Sequence, residues 1–167
     1  QGLSARSLIE ISKHNFDGAL KLAMKALSLA NSDANTIALA GITLRYCCEP
    51  GMSIQYTRKA MRLCPIYPTW YPYGIAICHW ILGNLGEAFE NIEEAIRIDP
   101  DLSINYLVLI LLYAESGQME LAKDCVAKLY KADPGFSSQA FIDSLPFRDP
   151  AVEKRRADLL RKVGMLA

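Results

Sequence analysis

The chain has 167 residues, with 18 Lys and Arg against 18 Asp and Glu, so its formal net charge is zero. That balance argues against non-specific binding to nucleic acid or anionic membranes, which needs a surplus of basic side chains. At 51% hydrophobic and 22% charged, the composition excludes disorder for the bulk of the chain, and the length predicts one domain. The first residue is Gln1 rather than Met, so we expect a chain processed or excised from something longer, and no secretory leader pattern is visible at the start.

In chain order, the same phrase returns four times. It runs from Phe16 to Asn31, from Gly51 to Pro65, from Gly86 to Pro100 and from Gln118 to Pro134. The closing markers Asn31, Pro65, Pro100 and Pro134 are spaced 34, 35 and 34. The columns Ala26, Ala60, Ala95, Leu129 and Ala19, Ser53, Ala88, Ala122 keep the same intervals. Each unit reads as two amphipathic helices. In the third, Ile75, Ile77, Cys78, Ile81 and Leu82 recur at helical spacing, Gly83-Asn-Leu-Gly86 breaks them, and Ala88, Phe89, Ile92, Ala95 and Ile96 form the second stripe. Small residues in the columns let helices approach closely. The closing proline ends each second helix, because it lacks an N–H and turns its predecessor away from helical geometry. Thr69 is the expected N-cap of the next helix, with Pro72 tolerated in its first turn. The longest apolar run, Ile104 to Ala114, is interrupted by Asn105 and falls short of the ~20 residues a membrane span needs, so a buried helix is expected.

The period and its columns resemble the tetratricopeptide repeat family, whose unit is a helix–turn–helix of ~34 residues. The resemblance implies an all-α, right-handed superhelical solenoid. Its four repeats would span about 1–33, 34–67, 69–102 and 103–136, with C-terminal capping helices at 137–167.

In the tail we expect a short helix near Ser138–Ser144 and another from about Pro150 to Val163, with Asp149 as N-cap and Gly164 as stop. Phe141, Leu145, Phe147, Val152, Leu159 and Leu160 would cover the open end of the fourth repeat. Lys154, Arg155, Arg156, Asp158, Arg161 and Lys162 would face water. The phrases Ile66-Tyr-Pro-Thr-Trp-Tyr71, Leu82-Gly-Asn-Leu-Gly-Glu-Ala88, Pro146-Phe-Arg-Asp-Pro150 and Asp158-Leu-Leu-Arg-Lys-Val-Gly-Met-Leu166 resemble the C-terminal repeat region of bacterial class III adenylate and guanylate cyclases. That resemblance implies a cyclase domain upstream, and no cyclase catalytic segment lies within these residues.

Chemistry-bearing motifs are sparse. There is no Gly-rich phosphate loop, no G-x-S-x-G and no zinc-type spacing of Cys and His. Cys78 and His79, adjacent on a helix, point about 100° apart and read as packed residues rather than ligands. The five cysteines are scattered and odd in number, so reduced thiols and a cytoplasmic setting are expected, and the adjacent pair Cys47-Cys48 is not read as a redox pair. Glu93-Glu94 and the Asp99/Asp101 pair read as solvated helix faces. No catalytic residue, cofactor or metal is expected.

In the tetratricopeptide family the first helix of each repeat lines a concave groove. Carried onto this sequence, the lining is Asn35, Ala38, Ile42 and Arg45, then Trp70, Tyr73, Ile77 and Trp80, then Ile104, Leu107, Leu111 and Glu115. The positions of the family's carboxylate clamp hold Ala38, Ile42, Tyr73, Gly74, Leu107 and Val108, so that clamp is absent. An apolar, aromatic groove suits a helix or extended segment of a protein or peptide partner, or of the parent chain itself. Homodimerisation or autoinhibition is the alternative use; nucleic acid and membrane insertion are not expected. The same stripe can equally be packing between helices, Ile77 and Trp80 above all. Tyr67, Trp70, Tyr71 and Tyr73, stiffened by Pro65, Pro68 and Pro72, are expected as a rigid presented edge.

Overall fold

The computed structural model describes residues 2–30 and 32–167. The closing marker Asn31 lies outside the described residues. Among those residues the chain forms ten helices and no strand: α1 (Gly2–Ser12), α2 (Phe16–Leu29), α3 (Ala34–Tyr46), α4 (Pro50–Leu63), α5 (Trp70–Leu82), α6 (Leu85–Ile98), α7 (Ser103–Glu115), α8 (Met119–Ala132), α9 (Ser138–Ser144) and α10 (Pro150–Lys162). The first eight pair as hairpins, and each hairpin leans on the next through α2 on α3, α4 on α5 and α6 on α7. The first helices also touch in series, α1 on α3, α3 on α5 and α5 on α7. This is a helical solenoid.

The repeating columns of the sequence are where the helices meet. Ala19, Ser53, Ala88 and Ala122 are all buried, as are Ala26, Ala60, Ala95 and Leu129. Ser53 is tolerated at the first column because its Oγ donates to the Gly41 carbonyl at 2.7 Å, so the buried hydroxyl has an acceptor. Thr69 stands at the start of α5, but its hydroxyl does not cap that helix. It donates instead to the Ala95 carbonyl at 2.8 Å and so fastens α5 to the end of α6.

A further column becomes visible only in the backbone. The turns inside the four hairpins are made by His14, Cys48, Gly83 and Gly117, all with positive φ between 59° and 78°. In each hairpin the next residue's N–H returns to a carbonyl five residues earlier, as Asn15 to Glu10, Glu49 to Leu44, Asn84 to His79 and Gln118 to Tyr113. That is the closure of a helix by a left-handed residue, which glycine adopts without strain and other L-residues adopt at a cost of ~1–2 kcal/mol. His14 and Cys48 therefore carry strain that Gly83 and Gly117 do not. Cys47 and Cys48 are adjacent without being a pair: Cys47 is the C-cap of α3 and Cys48 makes the turn.

The tail departs from its expected course. After α9 the chain does not stay at the open end of the fourth hairpin. It turns at Leu145–Asp149 into the concave face, and α10 runs along α7. Asp149 caps α10, its carboxylate accepting the Ala151 N–H at 2.8 Å, and Gly164 closes it with φ of 77°. No helix is long and apolar enough to cross a membrane among the described residues.

Replacing His14 by Gly should raise unfolding stability by up to ~1 kcal/mol, and replacing Gly83 by Ala should lower it by ~1 kcal/mol. Urea unfolding followed by far-ultraviolet circular dichroism measures both.

Candidate functional site

The chain's own tail covers a cleft lined by Tyr46, Tyr73, Ile77, Trp80, Leu107 and Leu111. Phe147 is only 5% exposed and sits 5.0 Å from the Tyr46 ring and 6.4 Å from the Trp80 ring, centroid to centroid. Tyr73, Ile77, Leu107, Leu111 and Leu160 complete the same cleft. Helix α3 ends at Tyr46, whose carbonyl, like every carbonyl of a last helical turn, has no N–H donor within its own helix. The Arg148 backbone N–H donates to it at 2.8 Å, so the tail satisfies a group the solenoid leaves open.

Charged groups fasten the seat on both sides. Glu115, at the end of α7, accepts the Trp80 indole N–H on one oxygen, while its other oxygen takes Arg155 Nη2 at 2.7 Å. The Arg155 guanidinium lies 4.5 Å over the Trp80 ring. Arg156 is 3% exposed, pairs with Glu153 at 2.7 Å and stacks over Phe147 at 4.7 Å and Phe141 at 5.7 Å. The second Glu153 oxygen accepts the Phe147 N–H at 2.8 Å. The water-facing role expected of Arg155 and Arg156 is thus overturned. A guanidinium with a carboxylate one helical turn away and aromatic rings beneath it can be enclosed. At the rim, Arg148 reaches Asp17 on α2 at 2.8 Å, an exposed pair worth ~0–1 kcal/mol.

The anticipated groove residues divide accordingly. Arg45, Tyr73, Ile77, Trp80, Leu107 and Leu111 are buried, and Ile42 and Ile104 are half-buried. Asn35 is exposed and Trp70 half-buried. Ala38 is buried in a separate cluster with Ile37, Ala60 and Tyr71, against which Tyr67 and Trp70 pack. The aromatic edge is a joint rather than a free rim. Tyr67 stacks on Tyr71 and its hydroxyl donates to Glu94, while Trp70 meets Tyr71 edge-on at 4.4 Å. Ile66 beside them is 94% exposed. Sequence reasoning missed Tyr46 as a groove residue. Its position one residue past Arg45 was the only signal; Tyr46 is the last residue of α3 and its ring packs on Phe147.

No chemistry converges elsewhere among the described residues. No group of three His, Cys, Asp or Glu side chains is placed to hold a metal ion. Both His79 ring nitrogens lack partners, and burial holds its pKa below the usual imidazole value. Burial pushes the Cys47 thiol up to about 11, and Cys48 and Cys78 are raised for the same reason. Thiols held protonated are poor nucleophiles.

The comparisons with known proteins agree with this architecture. A tetratricopeptide repeat model matches residues 73–102. The fold is similar to the crystal structure of MamA, with TM-score 0.63 at 20% identity, covering 92% of this chain and 90% of that one. It is also similar to YrrB, described as a TPR protein with an unusual peptide-binding site, with TM-score 0.58 at 16% identity, covering 98% and 87%. Identities this low show a shared fold. A sequence comparison with curated proteins found no match.

Two outcomes are expected. Phe147→Ala should cost ~3–5 kcal/mol of stability and Asp17→Ala less than ~1 kcal/mol, by urea unfolding followed through tryptophan fluorescence, because one empties a packed seat and the other removes a solvated pair. At pH 8, iodoacetamide should alkylate Cys47 more than about tenfold more slowly than a free thiol, because its raised pKa leaves little thiolate; peptide mapping by mass spectrometry reads the difference.

Proposed function

We propose that the chain is a non-catalytic protein-interaction scaffold whose concave groove receives a polypeptide segment anchored by an aromatic side chain. The observation that carries this reading is the tail itself. Phe147 fills the aromatic cleft, a main-chain N–H meets an open helix-end carbonyl, and a capped helix follows along α7. Those are the elements of peptide capture by a preformed groove. The tail makes residues 145–163 an internal ligand, and an external partner must match that chemistry and displace it. Within the alternative use, this supports the intramolecular, autoinhibitory branch over homodimerisation. The fold shared with YrrB, whose description names a peptide-binding site, supports a peptide as partner. A position at the C-terminal end of a nucleotide cyclase is supported by the sequence phrases alone. A cytoplasmic setting is supported by the five free cysteines.

The test uses a fluorescent peptide of residues 144–163 added to the full chain. A tethered tail competes at high effective concentration, so the wild type should bind weakly and Phe147→Ala at least about tenfold more tightly. Glu153→Gln, which loosens the seat without emptying it, serves as a second variant should Phe147→Ala lose helicity. Equal, negligible binding by both well-folded variants would reject the groove as a capture site.

A further inference from the structure

The tail fills most of the polar demands of the groove, but Arg45 Nε and Arg156 Nε are left without hydrogen-bond partners. Arg45 is 5% exposed, and its Nε has no hydrogen-bond partner. Two other arginines, both in the tail, each have a carboxylate, half-buried Arg155 from Glu115 and buried Arg156 from Glu153. Among the described residues no carboxylate pairs with Arg45. The titratable groups that act on it are Tyr46, Cys78 and Tyr73, none of them a carboxylate, and burial raises the pKa of the Tyr73 hydroxyl and the Cys78 thiol. Its guanidinium lies 5.0 Å from the Tyr46 ring and 5.8 Å from the Tyr73 ring. The space it occupies is provided by Gly74, where a Cβ would come within 2.5 Å of Arg45 Nη1.

A buried guanidinium without a counter-ion is costly. Ring contacts offset only part of the lost hydration, and a methionine of similar length would fill the same space without that cost. Chain stability therefore gives no reason for arginine here, whereas recognition does. Its planar fork matches a carboxylate in two-point geometry. Its place beside Tyr46, the residue that receives the tail's main chain, sets it next to the seat of any bound segment.

We propose that Arg45 is an anion-recognition residue of the groove, which takes an acidic side chain of the partner polypeptide. The inference rests on the proposed function for the entry of a polypeptide into the groove, and on Arg45 and Gly74 for its chemistry. It also supplies a basis for exchange. A partner bearing an Asp or Glu at this point gains a contact that the tail does not make, and only such differential binding can shift the tail out.

The experiment follows the Arg45 side-chain Nε–Hε resonance of the full chain during titration with sodium acetate, with sodium chloride at equal ionic strength as control and inorganic phosphate as a third arm. Thermal unfolding of the wild type and Arg45→Met runs in parallel. The expected results are a saturable shift with acetate and none with chloride. Arg45→Met should unfold at the wild-type temperature or above, and acetate should raise the wild-type midpoint alone. An Arg45→Met midpoint several degrees lower with no response to acetate would make the residue a packing element. A stronger response to phosphate than to acetate would overturn the carboxylate assignment. Because the probes are free ions, these readouts stand apart from capture of the 144–163 peptide.

Discussion

A single helical hairpin cannot bury both of its apolar faces. One helix covers the other, and the remaining face must find a neighbour or stay wet. Stacking hairpins at a fixed period solves this along the length of the array. It leaves two unsolved surfaces, the ends and the concave wall formed by the first helices. Here that wall is strongly apolar, built from Tyr46, Tyr73, Ile77, Trp80, Leu107 and Leu111. The path of the C-terminal segment follows from this constraint. On that wall Phe147 and Leu160 are buried, whereas Leu121 and Tyr130 on α8 remain exposed.

Magnitudes decide which contacts hold the segment. Full burial of a phenylalanine contributes ~1.5–3 kcal/mol from transfer alone, and the exposed Arg148–Asp17 pair contributes ~0–1 kcal/mol. Phe147 is therefore the anchor, and the rim pair adds direction. Between them stand the pairs at Glu115 and Glu153. The Arg155–Glu115 pair is half-buried, whereas removing Glu153 would leave Arg156, 3% exposed, buried without a partner, which is costly. The two pairs make the seat specific for the arginine-bearing helix that occupies it.

Much of the fold was legible because it is periodic. Small residues at two columns and prolines at a third mark where helices cross and stop, and no long-range knowledge is needed to see them. The turn column was not legible, since His14 and Cys48 occupy places that glycine holds at 83 and 117, and a left-handed backbone leaves no mark on those residue types. The tail was half legible. Phe141, Phe147, Val152, Leu159 and Leu160 read as buried residues, and Asp149-Pro150 reads as a helix start. Their destination depends on the shape of a surface assembled from three hairpins, which local pattern does not encode. Arg156 misled for a similar reason: its enclosure depends on Glu153 and on two phenylalanines brought together only by the folded tail.

The closure of the groove by its own C-terminal segment can be measured at one atom. The Arg148 amide lies in a loop outside any helix, and its sole backbone acceptor is the Tyr46 carbonyl across the groove. Native-state hydrogen exchange should therefore show that amide protected to a degree comparable with the interior of α5. Exchange at the rate of an unstructured peptide would mean that the segment stands away from the groove, and the account would fail.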